Sequence, residues 1–582
     1  MSILRPFAGT AGTVVARSRT RLAADAVVLV AFAAVLWLLV HLSTGITAPF
    51  DPNTDIDAVS TDPQNLPYYA ARSLLRMFAA LALSLLFTFV YATAAARSRR
   101  AEKVLIPILD ILQSVPVLAF LSVTLSVWLV LFPDSELGVE CAAVFAIFTS
   151  QAWNMTFAFY TSLTTQPRDL DEAARLMRLT RWQRFWKLDV PSGMIPLTWN
   201  GMMSFGGGWF FLVASEVISV NNHTYALPGI GSYVASATAE QDIPAILLAI
   251  GVMLVMVIGV NTFFWRPLTA WAERFRTGDT ASAVVQRSIV LDVIRHSGLP
   301  TLLGRLLAPV GRGLDRVMAV FGVADVPLVV HRGRRRAGDV VFAVIVAALV
   351  VWGLVRMLAY IGDTVGLFEF VQAAGLGLVT FSRVIVIVVL GTIVWVPIGV
   401  WIGMNPKVTR FAQPVVQVLA SFPANFLFPF VTLALIHTGI SLDIGGIVLM
   451  ALGAQWYILF NVIAGASAIP NDLREVATSL RLTRVKKWTT LILPAVFSSW
   501  VTGGITAAGG AWNASIVSEV VTYGGTTLTA TGLGAYVATA TAAGDTPRVY
   551  VGVVVMSIFV VGLNRLFWRR MYGLAERRFS LT

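Results

Sequence analysis

The chain runs to 582 residues, 57% of them hydrophobic and 13% charged, with a formal net charge of +12. A mean hydropathy of +0.76 excludes an ordinary soluble domain, whose surface needs far more polar residues, and points to a multi-pass membrane protein. The positive balance then belongs in cytoplasmic loops rather than against nucleic acid, while one cysteine, Cys141, and five scattered histidines exclude a disulfide framework and give no metal-ligand pattern.

The first apolar stretch, residues 24–42, follows Arg17, Arg19 and Arg21. It is too long for a signal-peptide core and lacks a cleavage site, so it reads as a retained span. Crossing a bilayer takes about 20 mostly apolar residues. Twelve segments qualify: 24–42, 72–96, 104–132, 139–163, 193–220, 242–265, 339–361, 378–404, 411–437, 442–465, 496–522 and 548–568. Backbone groups in lipid must bond within their own segment, so these are helices; barrel strands would be short and alternating. The expected class is an all-α integral membrane protein.

Charge orients the spans. Arg97, Arg99, Arg100 and Lys103 fill one loop. Arg332, Arg334, Arg335 and Arg336 close a central linker, and Arg569, Arg570, Arg577 and Arg578 lie in the tail. The loop after the first span instead holds Asp51, Asp55, Asp57 and Asp62. Both termini and the linker are therefore expected in the cytoplasm, and the acidic loop outside. Three regions result: 1–265, a first repeat with an extra N-terminal span; 266–338, a basic linker; and 339–582, a second repeat. Within the linker, Ala281 to Val330 is weakly amphipathic, which suits a membrane-surface stretch or a solvated tether equally.

The chain repeats itself. Leu170–Thr180 reads LDEAARLMRLT and Leu473–Thr483 reads LREVATSLRLT, 303 residues apart. At that spacing Trp153 pairs with Trp456, Pro191 with Pro494, Gly206-Gly207 with Gly509-Gly510, and Trp209 with Trp512. Ser215-Glu216-Val217 pairs with Ser518-Glu519-Val520, and Gly229, Gly231 and Tyr233 pair with Gly532, Gly534 and Tyr536. Each copy holds about six spans, an even number, so the copies share one orientation. They are parallel repeats about an axis along the membrane normal, a geometry that builds a pore between equivalent halves.

Polar loops at 167–190 and 470–493 interrupt both repeats. Each opens on Pro167 or Pro470, continues through acidic residues and ends in bases, which suits a short helix whose dipole those charges complement. Glu172-Ala173-Ala174 followed by Val190-Pro191, and Glu475-Val476-Ala477 followed by Leu493-Pro494, resemble the coupling loop of binding-protein-dependent ABC importer permeases. The family usually has glycine four residues after the second small residue, where this chain has Arg178 and Arg481. The resemblance covers most of both halves and implies a type I importer permease fold. It also implies that the loop helices dock on two copies of a separate ATP-binding cassette subunit, with Glu172 and Glu475 making polar contacts there. ATP-Mg would be bound by that partner. No cofactor is expected on this chain, which has no G-x-x-x-x-G-K-[ST] loop, and no enzymatic activity of its own. A periplasmic or lipid-anchored solute-binding protein is the third implied component, and the bacterial cytoplasmic (inner) membrane is the implied location.

Ionisable residues inside spans are costly and mark function. Glu216 and Glu519 stand at equivalent points, each after a Gly-Gly-x-Trp segment and before a Gly-x-Gly-x-Tyr turn. This string resembles the nitrate, sulfonate, taurine and bicarbonate branch of these permeases, which implies a small anionic solute. A carboxylate repels an anion, so Glu216 and Glu519 fit a structural latch at the gate better than a pathway lining. Trp209, Trp512, Asn513, Asn154 and Trp153 are candidate lining residues, or ordinary packing. Asp110 reads as a structural acid, and Pro116 and Pro423 as kinks. A self-sufficient secondary transporter would share the repeat and topology but leaves the paired loops unexplained. An intramembrane enzyme lacks any catalytic constellation.

Overall fold

The computed structural model describes residues 19–43, 59–114, 117–133, 135–220, 223–275, 288–319 and 332–578. In the first half, α1 (Arg19–Ser43) precedes α2 (Leu66–Arg97), α3 (Arg99–Ser114), α4 (Leu121–Leu131), α5 (Leu137–Thr164) and α6 (Arg168–Leu176). Next come α7 (Val190–Ser215), a hairpin of β1 (Val217–Val220) and β2 (His223–Ala226), α8 (Ile230–Ala239) and α9 (Ile243–Val260). The linker contributes α10 (Ile289–His296) and α11 (Leu299–Ala319). The second half opens with α12 (Arg332–Thr364), α13 (Glu369–Met404), α14 (Pro406–Ser421), α15 (Phe428–Thr438), α16 (Leu442–Ser467) and α17 (Asn471–Ser479). It closes with α18 (Leu493–Ser518), β3 (Val520–Tyr523), β4 (Thr526–Thr529), α19 (Leu533–Ala542) and α20 (Thr546–Leu563).

Among the described residues eight helices are long and apolar enough to cross a membrane, or nine if one sharply bent pair forms a single span. The expected count of twelve is not confirmed, for identifiable reasons. The segment at 411–437 is two helices, α14 and α15, bent by 82°. Pro423 has no amide to donate, and it forces Phe422 into an extended conformation (ψ 128°) that ends α14. This is a corner, sharper than the expected kink. The equivalent segment at 104–132 is likewise divided, into α3, a 3₁₀ turn at Val117–Phe120, and α4; Pro116 lies outside the described residues. Helices α5 and α7 have spanning lengths of 28 and 26 residues, but their polar residues keep them off the apolar count. The expected spans at 193–220 and 496–522 stop at Ser215 and Ser518, where the chain turns into the hairpins.

The repeat extends to irregular features. Wide π turns occur at Phe185–Asp189 and Trp488–Ile492, and again at Asn261–Trp265 and Asn564–Trp568. The first pair lies just before Pro191 and Pro494, where a missing amide breaks the i→i−4 ladder. Asp242 and Asp545 cap equivalent helices through the amides of Ala245 (3.0 Å) and Arg548 (3.2 Å). From α5 onward the copies match at 303 residues. Upstream, Ser73 and Arg76 match Thr380 and Arg383, four residues further apart, because the first half has a longer turn between α4 and α5.

The halves interlock. Val117, Leu118, Leu121 and Leu125 of the first half pack within the core of the second. Phe426, just past the Pro423 corner, packs within the core of the first. At the opposite end from the polar loops, the amide of Gly524 in the β3–β4 turn donates to the Thr238 carbonyl of the other half (3.3 Å). Gly524 and Gly525 have φ of +53° and +79°, which a two-residue hairpin turn requires.

Candidate coupling loops and translocation cavity

The short helices expected in the polar loops are α6 and α17. Both follow a proline at the cap position, Pro167 or Pro470. Ala174 and Ala477 face inward and are buried, while Glu172 and Glu475 are exposed and form no ion pair among the described residues. Beside them stand exposed apolar side chains, Leu176 and Met177 on one loop and Val476 and Leu480 on the other. Ala173 is exposed as well.

Each helix ends in a pair of crossed bonds. The Leu179 amide donates to the Ala174 carbonyl (3.2 Å) and the Arg178 amide to the Arg175 carbonyl (3.0 Å). Leu482 and Arg481 repeat this on Ala477 and Thr478. Closing that motif takes a left-handed residue. Arg178 and Arg481 supply it, with φ of +45° and +46°, at the position where glycine is usual in the family this sequence resembles. The loops are therefore bent as glycine would bend them, with a long cation pointing off the corner.

The two loops are anchored by opposite chemistry. In the first, Asp171 pairs with Arg175 (3.1 Å) and with Arg184, and Arg97 reaches Asp189. In the second, Arg474 stands at the Asp171 position and donates to the carbonyls of Ala466 (2.8 Å) and Met404 (3.3 Å). Pro191 and Pro494 sit in the first turns of α7 and α18, so each loop leads directly into a helix that walls the space between the halves.

That space is a cavity of about 420 Å³. Asp110, Gln113, Asn154 and Asn200 line it from the first half, and Trp456, Tyr457, Trp512 and Asn513 from the second; Trp153 also contributes. Among the described residues the lining contains no lysine, arginine or histidine. Gln113 donates to Asn154 (3.3 Å), and Asn513 accepts the Val117 amide (3.0 Å) across the seam. Asp110, expected as a structural acid, is exposed to the cavity.

Trp209, Glu216 and Glu519 lie off this wall. Trp209 is fully buried against Phe205. Glu216 and Glu519 are fully buried and ion-paired. Arg76 reaches Glu216 through Nη1 (2.7 Å) and Glu140 through Nε (2.6 Å), and Arg72 joins Glu140 (2.5 Å). Ser73 also donates to Glu216 (2.5 Å). In the second half Arg383 reaches Glu519 (2.7 Å) and Asp443 (2.8 Å), and Thr380 donates to Glu519 (2.8 Å). The far oxygen of each glutamate accepts an amide from the start of the next short helix, Gly231 (2.6 Å) or Ala535 (3.0 Å), where the helix dipole favours negative charge. A Cβ at Gly229 or Gly532 would sit 2.3 or 2.2 Å from the carboxylate, so only glycine fits there. Near the first clamp, burial outweighs the pull of Arg72 and holds the Glu136 carboxyl above its ordinary value.

Sequence reasoning singled out the glutamates but not their arginines. The available signal was Arg383, inside an expected span, since a buried cation there must find an acid.

A family model described as "Binding-protein-dependent transport system inner membrane component" matches the chain twice, at residues 72–269 and 395–580. Relatives include the nitrate import permease protein NrtB of Leptolyngbya laminosa, 27% identical over 37% of this chain and 70% of that protein. The bicarbonate transport system permease protein CmpB of Synechococcus elongatus is 27% identical over 23% of this chain. The match spans 47% of CmpB, under half its length. The putative aliphatic sulfonates transport permease protein SsuC of Bacillus subtilis is 26% identical over 30% of this chain and 63% of that protein.

Proposed function

The chain belongs to the family of binding-protein-dependent transport system inner membrane components, and from that premise we propose that it is a two-fold permease for a small anion. An external binding protein delivers the solute to the hairpin end. ATPase subunits dock on α6 and α17 from the cytoplasm, and ATP closure drives the halves apart outside. ATP hydrolysis belongs to those subunits. The termini and the polar loops face the cytoplasm in this reading, consistent with the arginine bias of those segments.

The observation that carries the proposal is the paired loop: two exposed helices, each with an exposed glutamate beside apolar side chains, related by the internal repeat. An exposed acid with no ion-pair partner among the described residues is what a cationic groove on a second protein would engage.

In the cavity, the solute meets amides, indoles and hydroxyls besides the Asp110 carboxylate, which an anion would keep away from. Neutral donors hold an anion loosely, which suits passage better than storage, since a conducting site must also release. Nitrate-, bicarbonate- and sulfonate-type relatives set the solute class. Glu216 and Glu519, held in ion pairs, act in this reading as braces of the outer gate.

The test is co-purification. The tagged chain should retain its ATPase partner, and the double variant Glu172→Lys plus Glu475→Lys should lose most of it while remaining monodisperse. Undiminished capture by that variant would remove the docking role.

A further inference from the structure

We propose that a phospholipid of net negative charge binds in the cleft between α3 and α12, at the end of the bundle that carries the polar loops. The cleft has a volume of about 410 Å³. Arg100 and Lys103 of α3 stand in its wall, and the rest is apolar, with Phe342, Val346 and Val350 presented from one face of α12. A basic end joined to an aliphatic trough is the shape of a phosphate headgroup followed by an acyl chain, and basic pockets between membrane helices take such headgroups.

Three further observations favour this occupant. No residue in the most apolar window of α12 is fully buried by the chain itself, so most of its surface is left to lipid. The sequence that opens α12 carries Arg332, Arg334, Arg335 and Arg336, a run of positive charge that favours an acidic lipid over a zwitterion. The corner at residues 97–103 is fixed at the loop end of the bundle, because Arg97 pairs with Asp189.

The position gives the lipid a consequence. Helix α3 belongs to the first half, and both α3 and α12 touch α20 of the second. A lipid seated there bridges the seam along which the halves move.

The full-length chain, reconstituted in nanodiscs of equal phosphatidylglycerol and phosphatidylcholine and then released into detergent for native mass spectrometry, should retain phosphatidylglycerol roughly tenfold over phosphatidylcholine. Arg100→Ala with Lys103→Ala should bring the ratio to parity. Ala347→Trp, which fills the trough and leaves the cations, should abolish retention of either lipid. Millimolar inorganic phosphate should not displace the lipid. An unchanged ratio in the double variant, full retention by the tryptophan variant, or displacement by phosphate alone would each overturn the proposal.

Discussion

The arginine–glutamate clamps show how the same residue can differ in cost between two copies. Removing one partner of a buried pair costs about 3–5 kcal/mol, because the other charge is left uncompensated. Arg76 retains Glu140, itself buried, when Glu216 is neutralised. Among the described residues Arg383 retains Asp443, which is about half exposed. We therefore expect Glu519→Gln to lower the unfolding temperature of the detergent-solubilised protein more than Glu216→Gln does. Equal shifts in thermal melts would show that the second acid contributes nothing. The glutamates were legible in sequence as paired charges inside spans. Their partners were not, because Arg76 and Arg383 are offset by four residues from the spacing that aligns everything downstream, so the comparison that found the acids did not bring the bases into register.

At the scale of the element, the helix ends carry the information. The start of each loop helix was legible, with proline at the cap and acids before bases, whereas its end at Leu176 or Ser479 and the inward turn of Ala174 and Ala477 were not. Legible also was the departure from glycine at Arg178 and Arg481, and the structure shows that the bend persists without it. A non-glycine residue in the left-handed region costs about 1–2 kcal/mol. Arg178→Gly should thus slow hydrogen exchange at the Leu179 amide, which closes the motif, by about fivefold or more, since local opening becomes harder by about 1 kcal/mol. An internal control exists. The same motif ends α8 with Gln241 (φ +60°) and α19 with Gly544 (φ +70°). If exchange at Leu179 is unaffected by the substitution, the arginine is not strained. The broken spans were not legible, because hydropathy counts apolar residues and is blind to direction. Only the extended residue before Pro423 turns a long apolar stretch into a corner.

For the whole molecule, lipid changes what holds the halves together. Apolar side chains gain little by leaving acyl chains for a protein partner, so the interlocked cores alone do not explain association. The broken spans supply the missing term. A helix interrupted within the bilayer strands backbone groups, each costing several kcal/mol if unpaired there. The partner half relieves one such group, since Asn513 accepts the Val117 amide (3.0 Å), and a second side-chain bond crosses the seam where Asn425, beyond the Pro423 corner, donates to the Phe210 carbonyl (3.2 Å). The two contacts occur at equivalent crossings of the repeat, with the amide side chain on a different helix in each. The first half leaves the Val117 amide without this bond when alone, and the second loses the Asn425 contact, so covalent continuity is then a convenience of assembly. The linker supports the same view, since Ser297 and Gly298 bond to Asp25 of α1 (both 2.7 Å), which ties α10 to the first half. A chain severed at residue 322 should therefore reassemble when both pieces are co-expressed, eluting together at the size of the intact protein. Either piece expressed alone should aggregate or be degraded. A monodisperse, protease-resistant piece 1–322 made without its partner would show that the crossings are not needed, and the seam would have to be held by packing alone.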